Sequence, residues 1–188
     1  IDGGSPLVSN MIEFLEMRFV DLPGRLRSMI VPIKPAETLA EVAKDPAMSN
    51  GTNIDGSSVV GFSKDEMSDM HLTPDLDSLV ELRYAPDRRA AVMCYVYART
   101  QAERDLLPFD GDPRNILRRA QQKYLGSDKS LHLKVEPEFV FVTPDGKPYD
   151  QASYADTHPR NLGAEIMIEI SRALRSIPIE INVIHHET

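Results

Sequence analysis

The sequence predicts an α+β fold, a small mixed sheet with a few helices, and three observations predict it. Short apolar runs of strand length, such as residues 90–98 (AAVMCYVYA), are bounded by turn signals. Residues 35–44 and 163–176 instead carry their apolar side chains at helical spacing. The 188 residues, 41% of them hydrophobic, suffice for one ordinary core, or for one small core and part of another.

The first part of the chain, to about residue 106, is predicted to form one small domain. A Pro23-Gly24 turn joins two strands, and Pro35 opens a helix. The predicted elements are, in order, a helix at 10–17, strands at 17–22 and 25–31, a helix at 35–44, and strands at 79–84 and 90–98. This mixture of strands and helices favours an α+β unit built on a mixed sheet.

The pattern changes after Leu107, and residues 107–188 are predicted to begin a second domain. Asp112 caps a helix that Pro113 opens and Gly126 ends. The elements predicted after it are a strand at 131–142, a tight turn at Pro144-Asp145-Gly146, a helix at 163–176 and a strand at 179–184.

Composition excludes several classes of partner. The net charge is -8 and no basic patch stands out, so neither nucleic acid nor an anionic membrane is an expected partner. No apolar run reaches about 18 residues and no signal peptide is visible, so the chain is expected to be cytoplasmic. The single cysteine, Cys94, lies in an apolar run and is expected to be a small buried side chain.

The most distinctive acidic motif is Glu136-Pro137-Glu138, in the middle of the predicted strand 131–142. Alternation puts both glutamates on one face, with Cα atoms about 6.6 Å apart. Burying two carboxylates costs several kcal/mol unless cations compensate, and proline is unusual in a central strand. The spacing fits ligands of two different hard divalent ions. An edge strand with a solvated acidic face is the alternative.

Two further polar groups stand at the ends of predicted elements. Glu187 follows a strand and the pair His185-His186, and alternation lets His185 and Glu187 share a face that excludes His186. This group fits a metal or phosphate site, but the residues alone favour a polar strand end or a tag-like terminus. The loop from Asn53 to Ser58 contains an acid and two serines, which an Asx or Ser turn explains without any function.

Several motifs, in this order, resemble those of glutamine synthetases. They are DGSSVVGF at 55–62, SDMHLTPDLDSL at 68–79, PFDGDPRNIL at 108–117, VEPEFVFV at 135–142 and HHE at 185–187. The segment FVDLPGRLRSMIVP at 19–32 also resembles that family's first hairpin. The resemblance covers nearly the whole chain, and its specificity comes from the combination of DGSS, EPEF and HHE.

The resemblance implies a fold and a set of metal ligands. The fold is a β-grasp-like N-terminal domain, residues 1–106, followed by the first part of a glutamine-synthetase-type α/β catalytic domain with a mainly antiparallel sheet, residues 107–188. In the family the first glutamate of EPE binds the metal beside ATP, which implies that role for Glu136. Glu138 and Glu187 take the positions that bind the other metal, beside substrate glutamate.

The resemblance also implies catalytic and substrate-binding residues. Asp55 matches the aspartate that reaches across a subunit boundary, helps to bind ammonium and deprotonates it. Ser58 would lie beside Asp55 and contact substrate. Tyr154 belongs to a segment that looks like the family's Tyr-Phe-Asp element, and His185 belongs to the HHE motif, so both are candidate substrate-binding residues.

The implied reaction is ATP-dependent ligation of ammonia to the γ-carboxylate of L-glutamate through a γ-glutamyl phosphate, with Mg²⁺ or Mn²⁺ neutralising phosphoryl oxygens. The implied partners are ATP, L-glutamate, ammonium and further copies of the chain, since family members form ring-shaped homo-oligomers. One alternative is a ligase that joins glutamate to another amine, of the γ-glutamyl polyamine type. Another is a catalytically inactive homologue that binds ligands or partners.

The chain also departs from the family pattern. Ala155 replaces the usual phenylalanine, and Asn182 stands where the family commonly has glutamate. The family motif continues as His-His-Glu-Val-x-x-Gly-Gln-x-Glu, whereas this chain ends at Thr188. The resemblance therefore implies that the 188 residues alone lack part of the active site and are inactive.

Overall fold

A computed structural model of the protein describes residues 10–62, 68–82, 85, 87–99, 105–126, 128–175, 177 and 179–187. The chain divides into two compact units, a first unit that ends at Ser130 and a second unit that begins at Leu131. The boundary near residue 106 that the sequence suggests differs from this division and stays a prediction.

A seven-stranded sheet forms the centre of the first unit. Its order is β2-β1-β6-β4-β3, while β5 and β7 each pair with β6. The strands are β1 (Ile12–Val20), β2 (Leu26–Ala36), β3 (Thr52–Asp55), β4 (Asp69–Pro74), β5 (Val80–Glu81), β6 (Ala90–Arg99) and β7 (Leu106–Pro108). Because β1 runs parallel to β6 while β1 and β2 are antiparallel, the sheet is mixed and the predicted α+β class is confirmed.

The helices are few and mostly short. They are α1 (Leu39–Val42), α2 (Pro46–Asn50) and α3 (Pro113–Tyr124) in the first unit and α4 (Ala164–Leu174) in the second. The two longer helices confirm the helices predicted from the Asp112-Pro113 start and from the spacing in residues 163–176. None of the helices in the described ranges has the length and apolar character needed to cross a lipid bilayer.

The helix predicted at residues 10–17 is wrong, because this segment belongs to β1. A bulge shifts the register between Ile12 and Phe14, so the buried residues Ile12 and Leu15 are three apart, which imitates helical spacing. After the bulge Leu15, Met17 and Phe19 alternate and are buried. The period of two that identifies a strand is therefore present only in the second half of β1.

The helix predicted at residues 35–44 is also largely wrong. Strand β2 continues to Ala36, and two separate short helices follow it. Asp45 ends the first of them: it caps α2 by accepting from the Ala47 amide at 2.9 Å, and it accepts from the Lys34 amide at 3.0 Å. Because Asp45 precedes a proline, it is held out of the helical region, which breaks the helix in two.

The buried core lies in the first unit. Cys94 is fully buried within it, as expected, and burial raises the pKa of its thiol to about 12, so it is inert. The large apolar side chains that are fully buried in this core are those of Ile12, Leu15, Met17, Val42, Leu72, Val92 and Val96. The buried strand predicted at 90–98 is confirmed as β6, the strand to which β1, β4, β5 and β7 all pair.

In the second unit, α4 and a turn at Pro144-Asp145-Gly146 are present, and Val142 forms an isolated bridge with Pro148. The strands predicted at 131–142 and 179–184 are wrong: the described residues of this unit contain no strand. A strand is stabilised by hydrogen bonds to a neighbouring strand, which an apolar pattern alone does not provide. These segments consequently leave apolar side chains such as Val135 and Val183 exposed.

Candidate functional site

Asp55 lies at the end of β3, at the N-cap of a single 3₁₀ turn that spans Gly56–Ser58. One of its carboxylate oxygens accepts from the backbone amide of Ser57 at 3.0 Å and from the hydroxyl of Ser57 at 2.7 Å. The other oxygen accepts from the Ser58 hydroxyl at 3.1 Å. Asp55 and Ser58, both predicted site residues, are therefore in direct contact.

The charge of Asp55 is stabilised by these donors. The hydrogen bond from the Ser57 side chain lowers the pKa of the carboxyl most, and the Ser57 amide and the Ser58 and Ser68 hydroxyls lower it further. Asp55 remains exposed while it holds a full negative charge at neutral pH. The same contacts form a local Asx and Ser turn, so the geometry is compatible with a purely structural turn and with a functional site. The exposed negative charge would attract a cation.

Glu136 and Glu138 are both exposed to solvent in the second unit. The side chain of Glu136 is 65% exposed, and its carboxylate pairs with the ammonium of Lys134 at 2.5 Å. That ammonium lowers the pKa of Glu136, and the nearby His185 ring lowers it by a smaller amount. Of the two possibilities that the sequence left open, the exposed carboxylates agree with a solvated acidic face, although no strand carries them among the described residues.

Tyr154 and His185 are brought together in the second unit. Their rings meet edge to face with centroids 5.1 Å apart. The backbone amide of Ala155 donates to the carbonyl of His186 at 2.9 Å, which joins the two segments. The structure therefore brings two predicted site residues, Tyr154 and His185, together in one neighbourhood of the second unit.

Asp150 is a polar residue of this neighbourhood that sequence reasoning missed. Its carboxylate accepts from His186 Nε2 at 3.0 Å and from the Leu162 amide at 2.9 Å. These hydrogen bonds, with others from the Ala152 and Gly163 amides, hold the pKa of Asp150 below its ordinary value although partial burial opposes the shift. Leu162 and His186 lie 12 and 36 positions from Asp150, so no local spacing in the chain reveals this set.

The carboxylate chemistry of the predicted ligands fits a hard divalent ion such as Mg²⁺ or Mn²⁺. The described residues nevertheless contain no group of three or more His, Cys, Asp or Glu side chains arranged to hold a metal. Glu187 is exposed at the end of the described chain. The described residues therefore do not form a metal site, and a metal role for Glu136, Glu138 and Glu187 is a proposal for the whole protein.

Comparison with known proteins identifies the family. Residues 11–99 match the model of the glutamine synthetase β-grasp domain. The chain is 34% identical to the glutamine synthetase of Methanococcus maripaludis over 95% of its own length and 40% of the relative's. It is 34% identical to the glutamine synthetase of Thermus thermophilus, over 94% of this chain and 39% of that protein. The chain therefore spans about two fifths of the length of these relatives.

Solved structures agree on the fold. The Plasmodium falciparum glutamine synthetase aligns with a TM-score of 0.61 at 18% identity, over 94% of this chain and 39% of that one. A structure described as a novel glutamine synthase homolog aligns with a TM-score of 0.63 at 17% identity, over the whole of this chain and 42% of that one. At such low identity these structures support the fold alone. The family model and the sequence relatives lead to one conclusion: the chain belongs to the glutamine synthetase family.

Proposed function

We propose that the protein is an ATP-dependent ligase that joins ammonia to the γ-carboxylate of L-glutamate. The observation that carries this proposal is its relatedness to curated glutamine synthetases along 95% of the chain. The motifs DGSS, EPEF and HHE, which the resemblance connects with catalysis, occur in this order along the chain. Because the chain spans only 40% of the length of those relatives, the activity is proposed for the whole protein.

Asp55 is proposed as the group that binds ammonium and accepts its proton. An exposed carboxylate whose charge is held by Ser57 and Ser58 attracts a cation and remains ionised at neutral pH. Removal of a proton from ammonium frees the nitrogen lone pair. That lone pair then attacks the carbonyl carbon of the γ-glutamyl phosphate, and inorganic phosphate leaves with the electrons of the broken C–O bond.

Glu136, Glu138 and Glu187 are proposed as metal ligands, with Glu136 serving the ion beside ATP. A bound Mg²⁺ or Mn²⁺ ion would neutralise phosphoryl oxygens during transfer of the γ-phosphoryl group to glutamate. Tyr154 and His185, which contact one another, are proposed to contact substrate. A cytoplasmic location, expected from the sequence, and a ring-shaped homo-oligomer, implied by the family resemblance, remain predictions.

The direct test is an assay of glutamate-dependent ATP hydrolysis by the full-length protein, with ammonium or with polyamines as the amine. Turnover with ammonium is expected. Turnover with polyamines alone would favour the glutamate–polyamine ligase, and no turnover with any amine would leave the inactive homologue as the correct interpretation. The three outcomes separate the three functions without reference to any single residue.

The role of Asp55 is tested in the same assay by the variant Asp55→Asn. Removal of the charge and of the proton acceptor is expected to lower kcat/KM for ammonium by about 100-fold or more, with ATP binding unchanged. Asp110→Asn, which alters an exposed aspartate that pairs with Arg119, is the matched control and should keep full activity. Full activity of Asp55→Asn would refute the proposed role.

A further inference from the structure

The segment His185–Glu187 is exposed on one side and anchored on the other. His185 and Glu187 are exposed, whereas the His186 side chain is 25% exposed and turns toward Asp150. No strand pairing holds this segment among the described residues of the second unit. Its orientation therefore depends on individual side-chain and backbone contacts, among them those of His186.

The side chain of His186 is held in one tautomer. A carboxylate can only accept, so His186 Nε2 must donate its hydrogen to the Asp150 oxygen 3.0 Å away. His186 Nδ1 is buried and has no hydrogen-bond partner among the described residues. A hydrogen on Nδ1 would be a buried donor without an acceptor, which is unfavourable. In the neutral ring, the burial of Nδ1 and the contact with Asp150 therefore both favour the Nε2–H tautomer.

The backbone carbonyl of His186 provides the second anchor. It accepts from the Ala155 amide at 2.9 Å and from His185 Nδ1 at 3.1 Å. Because a carbonyl cannot donate, the second contact fixes the hydrogen of His185 on Nδ1 and leaves its Nε2 free of that hydrogen. The conformation of His186 thus determines the ring orientation of His185 as well as the direction of the chain.

Asp150 can act as an anchor because it is itself fixed. Its side chain is only 11% exposed, and it also accepts from the amides of Leu162 and Ala152 at 2.9 and 3.3 Å. Leu162 lies just before α4, so the same carboxylate ties the start of this helix to the His186 ring. An aspartate with this many donors has little freedom to move away from His186.

We propose that Asp150 is a positioning residue: it holds the His186 ring inward and thereby keeps His185 and Glu187 on the exposed face where they would meet substrate and metal. The proposal rests on the proposed function for the roles of His185 and Glu187, but the anchoring itself depends on this chain alone. In sequence the pair is separated by 36 positions, which is why no local motif reveals it.

The anchoring is tested first by NMR on the 188-residue chain with ¹⁵N-labelled histidine and backbone, at pH 8.5, where imidazole is ordinarily neutral. His186 is expected to show a single Nε2–H form. In Asp150→Ala the ring should show mixed tautomers, and the heteronuclear NOE of residues 185–187 should fall. Asp145→Asn, in the nearby turn, is the control and should change neither signal.

Asp150→Ala also removes the acceptor at the start of α4, so a second variant is needed. His186→Phe keeps that acceptor and removes only the contact with Asp150. It is expected to mobilise residues 185–187 while the amide signals of α4 stay in place. An unchanged heteronuclear NOE at residues 185–187 in His186→Phe, or retention of one tautomer in Asp150→Ala, would overturn the proposal.

The consequence for function is tested in the full-length protein by Mn²⁺ binding, measured from the EPR signal of free Mn²⁺. Asp150→Ala and His186→Phe are each expected to weaken binding about 10-fold or more, and the double variant no further, since both act through one contact. Additive losses would contradict the shared route. Should the wild type bind no Mn²⁺, the proposed function fails, while the NMR result still decides the anchoring.

Discussion

Two buried polar side chains fasten α3 to the sheet of the first unit. Asp112 and Asn115 are both fully buried. Asp112 accepts from the amide of Val96 in β6 at 3.0 Å, and Asn115 donates to the carbonyl of the same residue at 2.8 Å. Together they satisfy both backbone groups of one strand residue, which explains why α3 belongs to the same compact unit as the sheet.

Replacement of Asp112 should therefore cost more than the loss of an ordinary helix cap. Asp112→Ala removes the cap on the Arg114 amide and leaves the Val96 amide buried without an acceptor. The expected destabilisation is about 2–4 kcal/mol, measured by urea denaturation. Asp110→Ala, on an exposed side chain of the same loop, is the control and should stay within about 0.5 kcal/mol of wild type. Equal effects of the two substitutions would contradict the assigned role.

At the scale of the element, the connection between α2 and β3 depends on the one residue that joins them. Gly51 has φ +64° and ψ −158°, a region essentially restricted to glycine. A Cβ at this position would lie 2.0 Å from the carbonyl oxygen of Leu72 in β4. The sequence signals a turn at Asn50-Gly51, but only the neighbouring strand shows why no side chain fits.

The substitution Gly51→Ala should displace β3 from β4. The expected loss of stability is about 3 kcal/mol or more, because backbone strain adds to a clash with a backbone atom that cannot rotate away. Gly24→Ala provides the comparison, since Gly24 also has positive φ, +86°, but its Cβ would meet nothing within 4 Å. This second change should cost only about 1 kcal/mol. Thermal denaturation of both variants measures the difference in stability. A similar shift in Tm for the two would refute the steric explanation.

At the scale of the whole molecule, burial is distributed unevenly between the two units. Within the described ranges, the buried hydrophobic residues all precede residue 97. In the second unit the described apolar side chains are at most half-buried, and Leu133, Val140 and Val183 are among the exposed ones. Burial of apolar surface is the main source of folding free energy, so the first unit should be much more stable than the second.

Hydrogen exchange measured by mass spectrometry should reveal this difference. Amides in β1 and β6 are expected to resist exchange for about an hour or longer, since they open only with the core. Segments 131–142 and 179–184 should exchange within about a minute, because nearly all their amides lack a partner in the described chain. Protection of these segments equal to that of β6 would contradict the assignment.

Local signals in the sequence were sufficient for some parts of the fold and of the candidate site. The Pro23-Gly24 turn, the capped helix after Asp112 and the buried strand β6 were predicted because short-range patterns specify them. The contact of Asp55 with Ser58 was expected from a family motif only four residues long, and the structure contains it. Such features depend on neighbours in sequence, which a single chain displays directly.

Short-range patterns were enough to predict the α+β class and to recognise the family motifs, whereas the other features depend on contacts between distant parts of the chain. A bulge hid the strand period of β1, so only pairing with β2 and β6 identified it. The strands predicted at 131–142 and 179–184 found no partner among the described residues. Asp150 meets His186 across 36 positions, a contact that only folding creates, because hydrogen-bond geometry depends on distance in space and not along the chain.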